Sequence, residues 1–224
     1  MSDQIFYHFL SSKNAIHDLE RKMIRVSTLD TLNDPFELMP YLRYRDRQKR
    51  KWYLNIRKEM SKKYGLLCFS ESLNEPLLWG YYADKHKGIA IGFDILKRDE
   101  ILDVVYDADP IRKQFDLTND PRINEKLFLD LAKIKYQEWH YEKEYRVLVK
   151  LEECTKIDGH YFIQFKDRLK VKEIVLGCNY DNNKEYVIEL AEQLDAKVIP
   201  TRMEMQGYRI IRRNPIWCPE NSPS

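Results

Sequence analysis

Short apolar stretches separated by polar turns run the length of the chain, and their period changes from place to place. Residues 5–10 are almost wholly apolar and read as a first strand. Ser11 or Ser12 then offers a helix N-cap, with a short helix over 14–22 and a second, alternating strand over 24–27. Residues 28–33 predict one further turn, stopped where Asp34 meets Pro35. Over 46–63, Trp52, Ile56 and Met60 recur four apart, which predicts a helix ending before Gly65. Strands follow at 66–70, 88–94 and 102–106, with a helical turn over 76–84 that carries Trp79 and Tyr82. The longest helix is predicted over 119–138, with Ile123, Leu127, Leu131 and Ile134 or Lys135 in register. Strands over 145–149 and 161–165 come next.

The last third changes character. Residues 171–177 read as a strand, 182–194 as a helix and 196–200 as a strand, a unit that joins a parallel pair. No linker or internal repeat divides the chain. The expectation is a single α+β domain over 1–215, with a fraying tail over 216–224. Apolar residues at 43% suffice for a core, and the longest apolar runs fall far short of the roughly 20 residues of a membrane helix. The start of the chain lacks the basic-then-apolar pattern of a signal peptide, so a cytoplasmic protein that does not contact membrane is expected. The four cysteines are scattered without a C-x-x-C pair, so free thiols and no metal site are expected.

The net charge of +2 hides an uneven distribution. From 43 to 63 there are ten Lys or Arg against Asp46 and Glu59, including Arg45, Arg47, Lys49, Arg50 and Lys51. With Tyr41, Tyr44, Trp52 and Tyr53 interleaved, this segment is either a solvated helix face or a contact for DNA or RNA. Four other constellations carry polar chemistry. Tyr7 and His8 lie in the first strand. Asn33, Asp34, Phe36 and Glu37 flank Pro35 and form either a rigid turn or an active-site loop. Trp79, Tyr81, Tyr82, His86 and Lys87 crowd aromatic and basic groups into one short stretch, which suits packing or a flat ring bearing phosphates. Glu142, Glu144 and Arg146 alternate onto one face of an expected strand, as a salt-bridge ladder or as a steered catalytic carboxylate. P-loop, dinucleotide-fold, zincin and nucleophile-elbow motifs are all missing from the sequence. A nuclease is disfavoured because no spaced Asp and Glu assemble into a metal cluster.

These constellations together resemble a known family. Asn33 to Glu37, Cys68-Phe69-Ser70, Trp79 with Tyr82 to Gly88 leading to Ile91 and Asp94, and Tyr141 to Arg146 resemble, in order, the bacterial "domain of unknown function 2971" family. The match runs from Tyr7 to about Gly177. A weaker resemblance, carried by Tyr7 and His8, the two serines, the helix and a strand ending in Ser27, is to ADP-ribosyltransferase-like folds. It implies a split mixed sheet flanked by helices and NAD as the substrate. It also implies His8 on the ribose, Tyr82 or Trp79 stacked on nicotinamide, and Glu144 as the catalytic carboxylate, with Glu142 orienting the acceptor. Tyr7, Ser27, Ser70, His86, Lys87 and Arg146 would complete the cofactor site, and a bacterial defence or toxin system with an antitoxin or partner protein is the implied setting. The alternative is a non-catalytic nucleotide or nucleic-acid sensor using the same pocket.

Overall fold

The computed structural model describes residues 4–29, 31–34, 36–38, 47–108 and 121–219. In chain order its elements are β1 (Phe6–Leu10), α1 (Ser12–Arg21), β2 (Met23–Thr28), α2 (Arg47–Ser61), β3 (Tyr64–Ser70), α3 (Pro76–Tyr82), β4 (Ile89–Ile95), β5 (Ile101–Asp103) and β6 (Val105–Asp107). Then come α4 (Pro121–Ala132), β7 (Ile134–Tyr136), a 3₁₀ segment (Gln137–Glu142), β8 (Glu144–Lys150), β9 (Thr155–Ile157), β10 (His160–Gln164), β11 (Leu169–Leu176), α5 (Lys184–Glu192), β12 (Lys197–Met203) and β13 (Ile210–Arg212). This is a mixed α+β architecture in which helices flank one large mixed sheet. Among the described residues no helix is long and apolar enough to cross a membrane.

Local chemistry sets the boundaries. Ser11 caps α1, its side chain accepting the Asn14 N–H at 3.3 Å. Pro76 occupies the first turn of α3, where its missing N–H costs nothing. The helix expected over 119–138 ends at Ala132. Beyond it, buried Lys135 sits between less buried Ile134 and Tyr136, and that alternation makes a short strand, β7, parallel to β6. The expected C-terminal strand–helix–strand unit is present, with β11 and β12 parallel and α5 crossing between them. In the segment expected to fray, Trp217 bridges to Val198 and Ile216 donates its N–H to the Val198 carbonyl at 2.9 Å.

The sheet runs β13-β12-β11-β4-β1-β3-β2-β10-β9, with β8 paired to β3 and β5 to β8. β8 covers the whole of one edge of β3, from Tyr64 opposite Lys150 to Ser70 opposite Glu144. The other edge of β3 is shared. β2 pairs with its start at Gly65 and Leu66, and β1 reaches only its end, where Tyr7 faces Ser70. Between these contacts, among the described residues, Leu67, Cys68 and Phe69 have no ladder partner on that side, so the sheet opens between β1 and β2.

One face of the sheet packs on α1 and α5 through Phe6, Leu19, Leu67, Ile91, Val147 and Val187. The other face carries two separate clusters. Tyr7, Phe9, Leu78 and Trp79 gather under α3, and Tyr53, Met60, Leu66 and Phe128 gather under α2 and α4. The seam between those clusters lies over the opening in the sheet.

Gly88 joins α3 to β4 in space that excludes a side chain. A Cβ there would stand 2.1 Å from the Leu10 carbonyl oxygen and 2.8 Å from the Ala83 backbone. Both obstacles are main chain and cannot swing aside. Gly88→Ala is expected to lower stability by about 3 kcal/mol, read by urea denaturation; an unchanged midpoint would show that this junction is looser than described.

Candidate functional site

A cavity of about 200 Å³ occupies the seam, lined by Tyr7, His8, Phe9, Ser27, Asn33, Asp34, Glu37, Cys68, Ser70, Leu78, Tyr82, Lys135, Trp139, Glu142 and Glu144 among others. Residues distant in sequence thus meet at one place because the row Tyr7–Ser70–Glu144 crosses three adjacent strands in register. His8, next along β1, alternates toward the opposite face, and the open ladder gives it access to the same space. Its Nδ1 lies 2.8 Å from the Cys68 carbonyl oxygen, in the stretch of β3 that has no ladder partner on the side facing β1 and β2. Burial holds the imidazole below its ordinary pKa, more strongly than the Cys68 carbonyl and Asp18 raise it. The ring is therefore neutral at pH 7, with its proton on Nδ1 facing the carbonyl and a lone pair on Nε2.

The floor of the cavity is a buried ionic cluster. Glu144 accepts Arg146 Nε at 2.8 Å on one oxygen, and Arg146 Nη2 at 2.8 Å and Lys135 Nζ at 2.9 Å on the other. Arg146 also pairs with Glu37 and donates Nη1 to the Ala132 carbonyl at 2.9 Å. Lys135 reaches Glu142 and stands 3.5 Å from Glu37. Tyr82 donates its hydroxyl to Glu142 at 2.7 Å, so both Glu142 oxygens accept bonds, as an ionised carboxylate does. The cluster sets three carboxylates, Glu37, Glu142 and Glu144, against two cations, Lys135 and Arg146.

These surroundings separate the two glutamates of the strand region. Burial alone would raise Glu144, but Arg146 and Lys135 outweigh it and pull its pKa down to about 2. For Glu142 burial wins over Lys135, and Glu144 adds to it, so its pKa is raised. Burial opposes the charge on Lys135, yet Glu144, Glu37 and Glu142 hold it cationic. The Glu144 backbone N–H donates to the Tyr106 hydroxyl at 2.8 Å, and the Ser70 hydroxyl donates to the Glu142 carbonyl at 2.5 Å. The carboxylates are thus anchored through main chain as well as side chain. Among the described residues no group of His, Cys, Asp and Glu is placed to hold a metal ion.

Several expected site residues take other roles. Glu142 and Glu144 share the cavity, but not as alternate positions of one strand. Glu142 closes a 3₁₀ segment, Lys143 is left-handed at φ 43°, and β8 begins only at Glu144. Arg146 is fully buried beneath Glu144 and does not line the cavity. Trp79 is a core residue. Its Nε1 donates to the Leu73 carbonyl at 2.7 Å and its ring meets Phe9 edge-on at 5.1 Å, so of the two aromatics proposed for stacking only Tyr82 lines the cavity. Leu78 and Tyr82, four apart on α3, face the cavity while Trp79 points elsewhere. His86 and Lys87 fall in the left-handed turn beyond α3, outside the lining, and Lys87 pairs with Asp181 at 2.8 Å. Of the loop, Asn33, Asp34 and Glu37 line the cavity, whereas Phe36 turns outward at 66% exposure. The Tyr7 ring walls the cavity, but its hydroxyl bonds Glu173 and Arg212 on the far side. Arg47 and Lys51 lie exposed on α2, Arg50 is half-buried, and Arg45 and the Lys49 side chain lie outside the described residues.

Lys135, Trp139 and Cys68 belong to the lining without having been singled out as site residues. Lys135 passes on sequence for one more position of a helical stripe. Its signal is a cation between Ile134 and Tyr136, close before Trp139, over whose ring its Nζ sits at 5.2 Å.

Comparison of the chain with protein-family models, with curated proteins and with solved structures found no match.

The low pKa of Glu144 has a defined consequence. A carboxyl lowered on folding stabilises the fold above its unfolded value near 4.5 and loses that contribution as pH falls toward about 2. The difference corresponds to about 3 kcal/mol. Urea denaturation of the parent should therefore show stability falling between those pH values. Glu144→Gln, which leaves Lys135 and Arg146 short of an anion, should be less stable at pH 7 by a similar amount and should lack most of that acid limb. An equally stable variant, or one with an unchanged limb, would contradict the cluster described.

Proposed function

We propose that this chain is an ADP-ribosyltransferase-like enzyme that breaks the nicotinamide–ribose bond of NAD and passes ADP-ribose to a macromolecular acceptor. The observation that carries this reading is the charge of the cavity floor. Three buried carboxylates against two cations leave one negative charge uncompensated, beneath walls that include Tyr7, Phe9, Tyr82 and Trp139. His8 is neutral and offers no compensation. A flat ring bearing one positive charge satisfies both features, and the nicotinamide of NAD is such a ring. The cavity is smaller than the ~300–1,000 Å³ of sites that enclose drug-sized ligands, so it suits one ring with its sugar. The opening of the sheet between β1 and β2 agrees with the split sheet of ADP-ribosyltransferase-like folds.

In this reading the bond from the ribose anomeric carbon to the ring nitrogen breaks, and its electron pair neutralises the nicotinamide. The sugar carbon becomes cation-like, and fixed Glu144 stabilises it without reorganising. The acceptor's nucleophilic atom bonds to that carbon and gives up its proton to Glu142, whose raised pKa makes it the better base of the pair. His8 Nε2 accepts from a ribose hydroxyl. Tyr82 holds Glu142 and lays its ring beside the nicotinamide. The basic face of α2 suits a DNA or RNA acceptor. Arg47, Lys51 and Lys58 are exposed, and their spacing puts them on one side of the helix. Cytoplasmic action in a bacterial defence or toxin system, with a partner protein controlling it, is part of this proposal.

A second reading has its own observation. Both Glu144 oxygens are already occupied by cations, as in a rigid binding site without turnover. A nucleotide or nucleic-acid sensor would use the same cavity.

Incubation of the protein with NAD labelled in its adenylate half, together with DNA, RNA and cell lysate, distinguishes the two. Label should pass to a macromolecule. Glu142→Gln should cut transfer about 100-fold or more while slow NAD hydrolysis continues, and Tyr82→Leu, which removes the ring, should weaken NAD binding. Circular dichroism confirms that each variant is folded under the assay conditions. A parent that binds NAD without consuming it is the sensor; a parent that does neither refutes the NAD reading. Reversing Arg47, Lys51 and Lys58 to Glu should weaken nucleic-acid binding and flatten its salt dependence. Unaltered binding would leave α2 as a solvated helix.

A further inference from the structure

A second, wider cavity of about 580 Å³ lies beside the first, lined by Tyr7, Glu71, Asn74, Lys143, Glu173 and Arg212 among others. Three chain segments change sides between the two. The Tyr7 ring walls both cavities. Ser70 lines the first and Glu71 the second. Glu142 and Glu144 face the first, and Lys143, turned by its left-handed backbone at φ 43°, faces the second. The partition is thus one residue thick wherever the chain crosses it.

The register of the sheet explains why Tyr7 is the shared wall. Tyr7 lies opposite Gly92 on β4, and Gly92 lies opposite Glu173 on β11. A Cβ at Gly92 would stand 3.0 Å from Tyr7 Cε1 and 3.3 Å from Glu173 Cβ. The missing side chain therefore lets the phenol lie across β4. Its hydroxyl donates to Glu173 at 3.0 Å and also meets Arg212, which bonds Glu173 at 2.9 Å.

The lining of this second cavity sets two carboxylates, Glu71 and Glu173, against two cations, Lys143 and Arg212. Both Glu173 oxygens accept protein bonds, and Glu71 accepts the Tyr145 hydroxyl at 3.2 Å. Lys143 is 58% exposed and stands 3.9 Å from Glu71, beyond hydrogen-bond reach. Arg212 uses two of its N–H groups on Glu173 and Tyr7 and keeps others. Lys143 and Arg212 thus keep donors that suit an anionic group, and their charges balance those of Glu71 and Glu173 in the same lining.

The geometry points to this second cavity as the seat of the diphosphate-bearing half of the dinucleotide, with Lys143 and Arg212 as its cationic contacts and the chain of the ligand passing over Tyr7. The inference rests on the NAD reading of the first cavity. It gives the ligand a direction: the cationic ring lies over Glu142 and Glu144, and the anionic linkage lies between Lys143 and Arg212. The cationic ring then meets the excess carboxylate, and the anionic linkage meets the donors of Lys143 and Arg212.

Calorimetric titration of the intact protein with NAD, with nicotinamide riboside, which has the cationic ring and no phosphate, and with inorganic pyrophosphate tests the assignment. The parent should bind NAD more tightly than nicotinamide riboside, and pyrophosphate should compete with NAD alone. Lys143→Gln and Arg212→Gln should each weaken NAD about tenfold and leave nicotinamide riboside unchanged. Arg212→Lys, which keeps the charge, should retain most of the NAD affinity, and melting temperatures identify any variant that is not folded. NAD binding undiminished in both Gln variants overturns the assignment, as does equal affinity of the parent for NAD and nicotinamide riboside. A parent that binds nicotinamide riboside but gains nothing from the phosphates overturns this inference and leaves the first cavity standing. A parent that binds neither removes both.

Discussion

The buried cluster of Glu37, Lys135, Glu142, Glu144 and Arg146 constrains everything around it. Taking an ion out of water costs several kcal/mol, and the cost is recovered only when each charge finds well-placed partners. Here the partners come from separate parts of the chain: the loop at Glu37, β7 at Lys135, the end of the 3₁₀ segment at Glu142, and β8 at Glu144 and Arg146. Removing any one strands another in a dry interior. Arg146 is the deepest member, and its bond to the Ala132 carbonyl ties the end of α4 to the same point. Apolar residues of similar volume would serve stability as well or better. This demanding arrangement lies at the floor of a cavity with one negative charge in excess, the feature from which the proposed function starts.

The opening in the sheet is the second half of the arrangement. A continuous ladder between β1 and β3 would close the space in which His8 reaches Cys68 and would keep the imidazole on the far face. Since β8 holds all of one edge of β3, while β1 and β2 touch only opposite ends of the other, the gap is supported on both sides and does not depend on a flexible loop. The same register row carries the design outward. Glu144, Ser70, Tyr7, Gly92 and Glu173 follow one another across five strands, and Gly92 lets the Tyr7 ring divide the face into two cavities of different electrostatic character.

Local pattern carried most of the fold. The first strand, the Ser11 cap, the stop before Gly65, the short α3 after its proline and the parallel unit built on α5 all follow from side-chain period and capping chemistry, which act over a few residues. The expected helix over 119–138 failed where a buried ionic contact overrode periodicity. Lys135 matches a helical stripe, but the carboxylates of Glu37, Glu142 and Glu144 draw it into a strand. Trp79 shows the limit from the other direction. Its neighbours are as aromatic and basic as those of Tyr82, and only the rotation of a two-turn helix sends one ring into the core and the other into the cavity.

By itself the sequence determined an α+β chain and a set of polar residues, Tyr7, His8, Ser27, Asn33, Asp34, Glu37, Ser70, Tyr82, Glu142 and Glu144, that the fold brings to one cavity. Tertiary structure alone decided which of these face the space and which support it. It made Arg146 a buried brace, turned the Tyr7 hydroxyl toward Glu173, left His86 and Lys87 on a turn outside the lining and brought in Lys135. The reason is range. Helix and strand period are properties of adjacent residues, whereas the partner of a buried charge can be more than a hundred positions away, as Glu37 is from Arg146, and only the folded chain sets that distance to a hydrogen bond.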